Sequence, residues 1–235
     1  MAAHERDRFS SPAIAVARFI AQRVILKPVV WGITRVTVLG TSRLASLSGA
    51  FVVVANHTSH LDAPLIFGAL PRRLARYLAA GAAADYFFDV RWRRGLTALF
   101  FNAFAVDRSG VGPRGVSAKS LLNRGIPLIV FPEGTRSRDG SLGNFKPGAA
   151  ALAVSAAVPC VPVALIGAGI AHPRGSKWPG PGRLPVGVVF GEPMTAEPNE
   201  PPNVFIKRVR AEVARLIDEH SERILSRSGT ASERP

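Results

Sequence analysis

The chain has a single cysteine, Cys160, among 235 residues. An intramolecular disulfide framework is therefore excluded, and a reducing compartment is the expected setting. Tyrosine is scarce too: two residues, against 13 phenylalanines that sit mostly in apolar company. Acidic side chains number 16 against 30 Lys and Arg, a formal charge of +14. No Cys/His spacing of a zinc finger occurs, and no Lys/Arg run is interleaved with aromatics. Those absences weigh against nucleic acid as the polyanion this charge serves. What remains is an anionic membrane surface or an anionic substrate. No internal repeat and no dividing linker is present, so the length suits one domain with a full core.

The charge is unevenly placed. Residues 1–191 carry a net +15 and residues 192–235 a net −1. Cations cluster at Arg72, Arg73 and Arg76, at Arg91, Arg93 and Arg94, and at Arg114, Lys119 and Arg124. Each cluster reads either as a solvated face or as part of an anion-seeking surface. Residues 13–39 are apolar but interrupted by Arg18, Arg23, Lys27 and Arg35, so no uncharged stretch long enough to span a bilayer arises there. Two readings stand for this segment: an interfacial helix pair broken near Pro28, or an ordinary helix packed on the core. Residues 148–171 hold no charge at all. Their Ala-rich start, Pro159 and Pro162, and the β-like run from Val161 to Ile166 predict helix, turn and buried strand rather than a span.

Periodicity and turn residues predict strands at 36–40, 50–55, 74–79, 126–131, 160–166 and 184–190. They predict helices over 60–69, 114–123, 148–157 and 203–225, and a helix or a helix plus turn over 92–105, with a Pro/Gly loop at 172–183 and a frayed tail from Ser226. The fold class is α/β: a single domain with a mixed, partly parallel sheet flanked by helices, plus an N-terminal membrane-surface helical segment. The expected division is 1–35 for that segment, 36–225 for the domain and 226–235 for the tail.

Four segments carry candidate chemistry. Asn56-His57-Thr58-Ser59-His60-Leu61-Asp62 follows directly on a buried strand, where α/β folds place ligands. A five-residue separation on a regular helix puts His57 and Asp62 about 140° apart. They meet only if His57 lies on the turn before the helix, and His60 is a rival partner. A carboxylate on one imidazole nitrogen sets the tautomer and raises the basicity of the other. Phe131-Pro132-Glu133-Gly134-Thr135-Arg136-Ser137 also ends a strand. Two readings stand: its turn amides, the Thr135 hydroxyl and the Arg136 guanidinium form a phosphate cradle that Gly134 lets a ligand approach, or the segment is a tight turn with an Arg136–Glu133 ion pair. Glu133 either accepts from a substrate hydroxyl or orients Arg136. Asn102 to Arg108 delivers Arg108 as a second cation. Val158 to Val163 reads as a strand entry lining an apolar slot, and nothing near Cys160 would stabilise a thiolate.

In order and spacing, these four segments resemble the glycerolipid acyltransferase family, the group containing bacterial 1-acylglycerol-3-phosphate acyltransferases. His57 and Asp62 match its His-x4-Asp motif, and Glu133, Gly134, Thr135 and Arg136 match Glu-Gly-Thr-Arg in full. Val106-Asp107-Arg108 matches the end of the second motif, although Asn102 and Ala103 stand where Gly is common. Residues 158–163 match the fourth. The resemblance covers roughly residues 36–190. It implies transfer of a fatty acyl group from acyl-CoA or acyl-carrier protein to a lysophospholipid, foremost 1-acyl-glycerol 3-phosphate, giving phosphatidic acid. It implies His57 as base, Asp62 as its orienting group, and Arg108, Glu133, Gly134, Thr135 and Arg136 on the acceptor. No metal, resident cofactor or nucleic acid is implied. The setting is peripheral or monotopic on the cytoplasmic face of the cell membrane. Alternatives are another acceptor (glycerol 3-phosphate, an amino lipid or a glycolipid), a thioesterase, or a non-catalytic basic protein binding membranes or nucleic acid.

Overall fold

The computed structural model describes residues 9, 11–83, 99–106 and 117–226. Helix α1 (Pro12–Ile20) continues through a π-helical segment (Ala21–Leu26) into α2 (Lys27–Ile33). The expected break at Pro28 is thus absent. Proline lacks an N–H and its ring crowds the carbonyl four residues back. The chain answers by widening the preceding turn, with the Lys27 N–H reaching Gln22 O, five residues back. One face of this helix is buried at Ala15, Arg18, Gln22 and Val30. The Gln22 amide donates to Phe100 O at 2.6 Å. Arg23 donates to Gly68 O at 3.1 Å and to Leu70 O at 2.9 Å. The Trp31 ring lies so close over Gly68 that a Cβ there would meet it at 2.5 Å. Glycine at 68 is what lets this helix approach its neighbour.

Seven strands follow: β1 (Arg35–Leu39), β2 (Val52–Ala55), β3 (Ala79–Ala83), β4 (Phe104–Val106), β5 (Leu128–Val130), β6 (Cys160–Ile166) and β7 (Pro185–Phe190). They form one sheet in the order β1-β7-β6-β2-β5-β3-β4. Every pairing is parallel except β6 with β7. Between them lie α3 (Asp62–Ala69), α4 (Arg72–Ala75), α5 (Ala118–Asn123), α6 (Gly148–Ser155) and α7 (Ala168–Ala171), and α8 (Pro202–Leu225) closes the described chain.

Strand β2 is central, and its alternation divides the core. Val52 and Val54 pack with Ala150 of α6 and Phe205 and Val209 of α8 on one face. Val53 and Ala55 pack with Leu65 of α3 and Val30 of α2 on the other. Burial on both faces is why this strand reads as a continuous apolar run. Residues 148–166 resolve into α6, a turn and β6, as expected, and the short helix α7 that follows was not foreseen. Among the described residues no helix is long and apolar enough to cross a membrane.

Besides the break at Pro28, two expected elements differ from those observed. The predicted strand at 74–79 is instead the short helix α4 and then β3, which begins at Ala79. The β3 sequence, Ala-Ala-Gly-Ala-Ala, has little strand propensity of its own and is extended because β5 and β4 pair with it. The helix expected over 92–105 is helical at 99–101 but gives way to β4 at Phe104. Helix α5 starts at Ala118, where the Ser117 side chain caps it by accepting from the Ser120 amide at 3.1 Å. Arg91, Arg93, Arg94, Arg114, Asp107 and Arg108 lie outside the described residues, as does the tail from 227.

Candidate active site at the carboxyl ends of two adjacent strands

Strands β2 and β5 are parallel neighbours, with Val54 opposite Val130. Their following loops therefore emerge side by side, one carrying His57 and the other Glu133 to Ser137. Helix α3 begins at Asp62, which leaves His57 on the turn before it. That is the condition the five-residue spacing imposed. Nδ1 of His57 lies 2.7 Å from Oδ2 of Asp62. Asp62 is fully buried, and the same oxygen accepts the amides of Thr58 at 2.7 Å and Ser59 at 2.8 Å. Three contacts on one buried oxygen fix the position of this carboxylate, while its other oxygen, Oδ1, is buried without a hydrogen-bond partner among the described residues. His60, the rival partner, packs edge-on against His172, with ring centroids 5.8 Å apart. Burial first, then Arg136, His172 and His57, lowers the basicity of His60.

His57 is held from four sides. Its amide donates to Oε1 of Glu133 at 2.9 Å, and its carbonyl accepts from the Ser137 amide at 2.8 Å. Its ring stacks on Phe131, with centroids 4.2 Å apart and planes 18° apart. Asp62 is the fourth contact. Just before it, Asn56 clamps the Leu165 backbone of β6, donating to O at 2.8 Å and accepting from N at 2.7 Å. The His57 side chain nonetheless keeps about a quarter of its surface open.

Glu133 thus has a partner that sequence reasoning did not name. Burial pushes its carboxyl above the usual range, and the amides of His57 and Gly143 act against that shift. Gly134 has φ +76, a conformation glycine adopts freely. A Cβ there would come within 3.0 Å of Nζ of Lys146. Lys146 was also missed. It enters the site because its amide donates to Pro132 O at 3.0 Å, folding residues 141–146 back onto the loop. Thr135 is exposed and Arg136 half-buried. Nη1 of Arg136 is buried without a hydrogen-bond partner among the described residues. Arg174 approaches from beyond β6, donating to the Arg136 carbonyl at 2.7 Å.

The structure therefore brings together His57, Asp62, Glu133, Gly134, Thr135 and Arg136, while Arg108 falls outside the described residues. Asn102 is buried with φ 49, a left-handed conformation that asparagine tolerates better than most residues. Cys160 is buried in β6, and burial pushes its thiol up to about 12. Among the described residues no three His, Cys, Asp or Glu side chains gather to hold a metal ion.

Residues 35–166 match the family model described as Acyltransferase. A 1-acyl-sn-glycerol-3-phosphate acyltransferase of Chlamydomonas reinhardtii is 32% identical over 145 residues, covering 61% of this chain and 42% of that protein. The human 1-acyl-sn-glycerol-3-phosphate acyltransferase alpha is 35% identical over 127 residues, 50% of this chain and 41% of that one. The chain spans less than half the length of these curated relatives. Among solved structures, the 1-acyl-sn-glycerophosphate (LPA) acyltransferase PlsC from Thermotoga maritima superposes with a TM-score of 0.68 at 28% identity. That match covers 88% of this chain and 78% of PlsC.

Proposed function

The chain belongs to the acyltransferase family, and from that premise we propose that it moves a fatty acyl group from a thioester, acyl-CoA or acyl-carrier protein, to the hydroxyl of 1-acyl-glycerol 3-phosphate. The names of the relatives support this acceptor. The observation that carries the chemistry is the His57–Asp62 contact of 2.7 Å at the carboxyl rim of the sheet, beside a loop whose Arg136 has a buried, unpartnered nitrogen.

An ionised Asp62 favours the tautomer with the proton on Nδ1, leaving Nε2 basic. Nε2 takes the acceptor hydroxyl proton as the oxygen attacks the thioester carbonyl. The tetrahedral intermediate collapses by breaking the carbon–sulfur bond, and His57 returns the proton to the departing thiolate. The products are the new ester and a free thiol. No acyl-enzyme is needed. Arg136, with Thr135 and the Gly134 turn, holds the acceptor phosphate, and Arg108 is its expected second cation. Lys146 adds positive charge on the same side. Glu133 has the His57 amide as a partner, which favours a role in holding the base over one on the glycerol. Residues 36–225 make the acyltransferase domain in this reading, and residues 1–35 rest on an anionic membrane at its cytoplasmic face.

An acceptor panel with labelled acyl-CoA tests the reading. Transfer should require an acceptor carrying both a free hydroxyl and a phosphomonoester. Equal transfer to a glycolipid or an amino lipid would overturn the acceptor assignment. Free fatty acid released without any acceptor would indicate a thioesterase.

A further inference from the structure

The loop after β6 carries features the proposed reaction does not use. Residues 167–184 contain Arg174, Lys177 and Arg183, and no acidic residue occurs anywhere from 140 to 191. Trp178 is 79% exposed and Ile170 is 61% exposed. Large apolar side chains left in water beside cations, with no carboxylate near them in sequence, have the composition of an interfacial anchor.

This loop is built rather than slack. The Ser176 amide donates to Pro173 O at 3.1 Å, and its hydroxyl donates to Trp178 O at 2.6 Å. The Gly180 amide donates to Ala171 O at 2.7 Å. These bonds satisfy the backbone within the loop while the Trp178 ring stays out. Both ends are anchored. At the near end, Ser59 Oγ donates to His172 O at 3.0 Å, and Arg174 holds the Arg136 carbonyl. At the far end, Arg183 donates to Trp31 O at 2.8 Å. That joins the loop to the N-terminal helix, whose Ile20, Val24, Ile25 and Val29 are all more than half exposed.

We propose that residues 168–183 form a second membrane contact, in which Trp178 and Ile170 enter the acyl boundary of an anionic bilayer while Lys177 and Arg174 meet its headgroup phosphates. The patch stands on its own observations. The choice of a bilayer as occupant rests on charge complementarity and on the lipid acceptor proposed above. Because the loop is tied to Ser59 and Arg136, docking through it sets the candidate active site at the lipid surface.

Sedimentation of the full chain with phosphatidylcholine vesicles containing phosphatidylglycerol tests this. Ile170→Ser with Trp178→Ser should weaken partitioning by about tenfold or more. Lys177→Glu should weaken it on the anionic vesicles and not on pure phosphatidylcholine. Both sites are exposed, so circular dichroism should match wild type, and transfer to a short-chain acceptor dispersed in detergent should persist. A double variant that partitions like wild type would overturn the contact, even with acyl transfer intact. If no acceptor is acylated but the vesicle differences remain, the proposed reaction fails and the contact stands.

Discussion

At the scale of single residues, the site is organised around holding one imidazole. Asp62 orients the ring, Phe131 stacks on it, and Glu133 and Ser137 hold its backbone. Glu133 offers the sharpest residue test. Glu133→Ala removes the acceptor of the His57 amide and should lower kcat by about 10²-fold, the scale of a misplaced catalytic group. Glu133→Gln keeps one acceptor oxygen and should retain most of kcat. If instead the carboxylate charge contacts the acceptor, both variants should raise the acceptor KM together. Steady-state kinetics on the two variants separate these outcomes. His57 and Asp62 were legible because a strand end, turn formers and a carboxylate stand in one short window. The Glu133 contact was not, because pairing of β2 with β5 decides which loops meet. Lys146 and Arg174 were illegible because they arrive from beyond the motif, Lys146 where its loop folds back onto Pro132 and Arg174 from the loop after β6.

At the scale of elements, reading succeeded where a segment's own chemistry decides its structure. The buried β2 and β6 and the amphipathic α8 were all visible as patterns. It failed at 74–83, where pairing partners impose a strand on alanine and glycine, and at Pro28, where a π-turn absorbs what would otherwise be a break. The lead into α8 shows a different kind of local lock. Arg208 grips both oxygens of Glu200, at 2.7 and 2.6 Å, while the Glu197 amide donates to the same carboxylate at 2.9 Å. The side-chain bond from Arg208 foremost holds the Glu200 carboxyl at about 2, below its usual 4.5. A depressed folded value means that this contribution to stability is complete above about pH 4.5. It is lost as pH falls from there through about 2. Glu200→Gln should therefore destabilise the protein at neutral pH and flatten its stability between pH 5 and pH 2. Urea titrations across that range check it, and identical pH slopes in variant and wild type would contradict it.

At the scale of the whole molecule, the +14 charge is unevenly paired. Helix α8 largely neutralises itself, with Arg215 paired to Glu212 at 2.7 Å and to Glu219 at 2.5 Å. Toward the N-terminus, Arg23 and Arg72 lie over the Phe19 ring and Lys27 over Trp31. There the apolar helix face and the cations come together, and the proposed membrane contact of this segment rests on them. Partitioning onto anionic vesicles should weaken as ionic strength rises from about 0.1 M to 1 M, where the screening length contracts from about 10 Å to about 3 Å. A residual, salt-resistant part should track Trp178. Salt-independent binding would detach the charge from the membrane.

The central claim is that His57 moves the proton in acyl transfer. Single-turnover kinetics of wild type and His57→Ala, with labelled acyl-CoA and saturating 1-acyl-glycerol 3-phosphate, test it most directly. The account predicts a loss of about 10²–10⁴-fold in the variant's transfer rate with its fold intact. A His57→Ala protein that transfers the acyl group at the wild-type rate would contradict it.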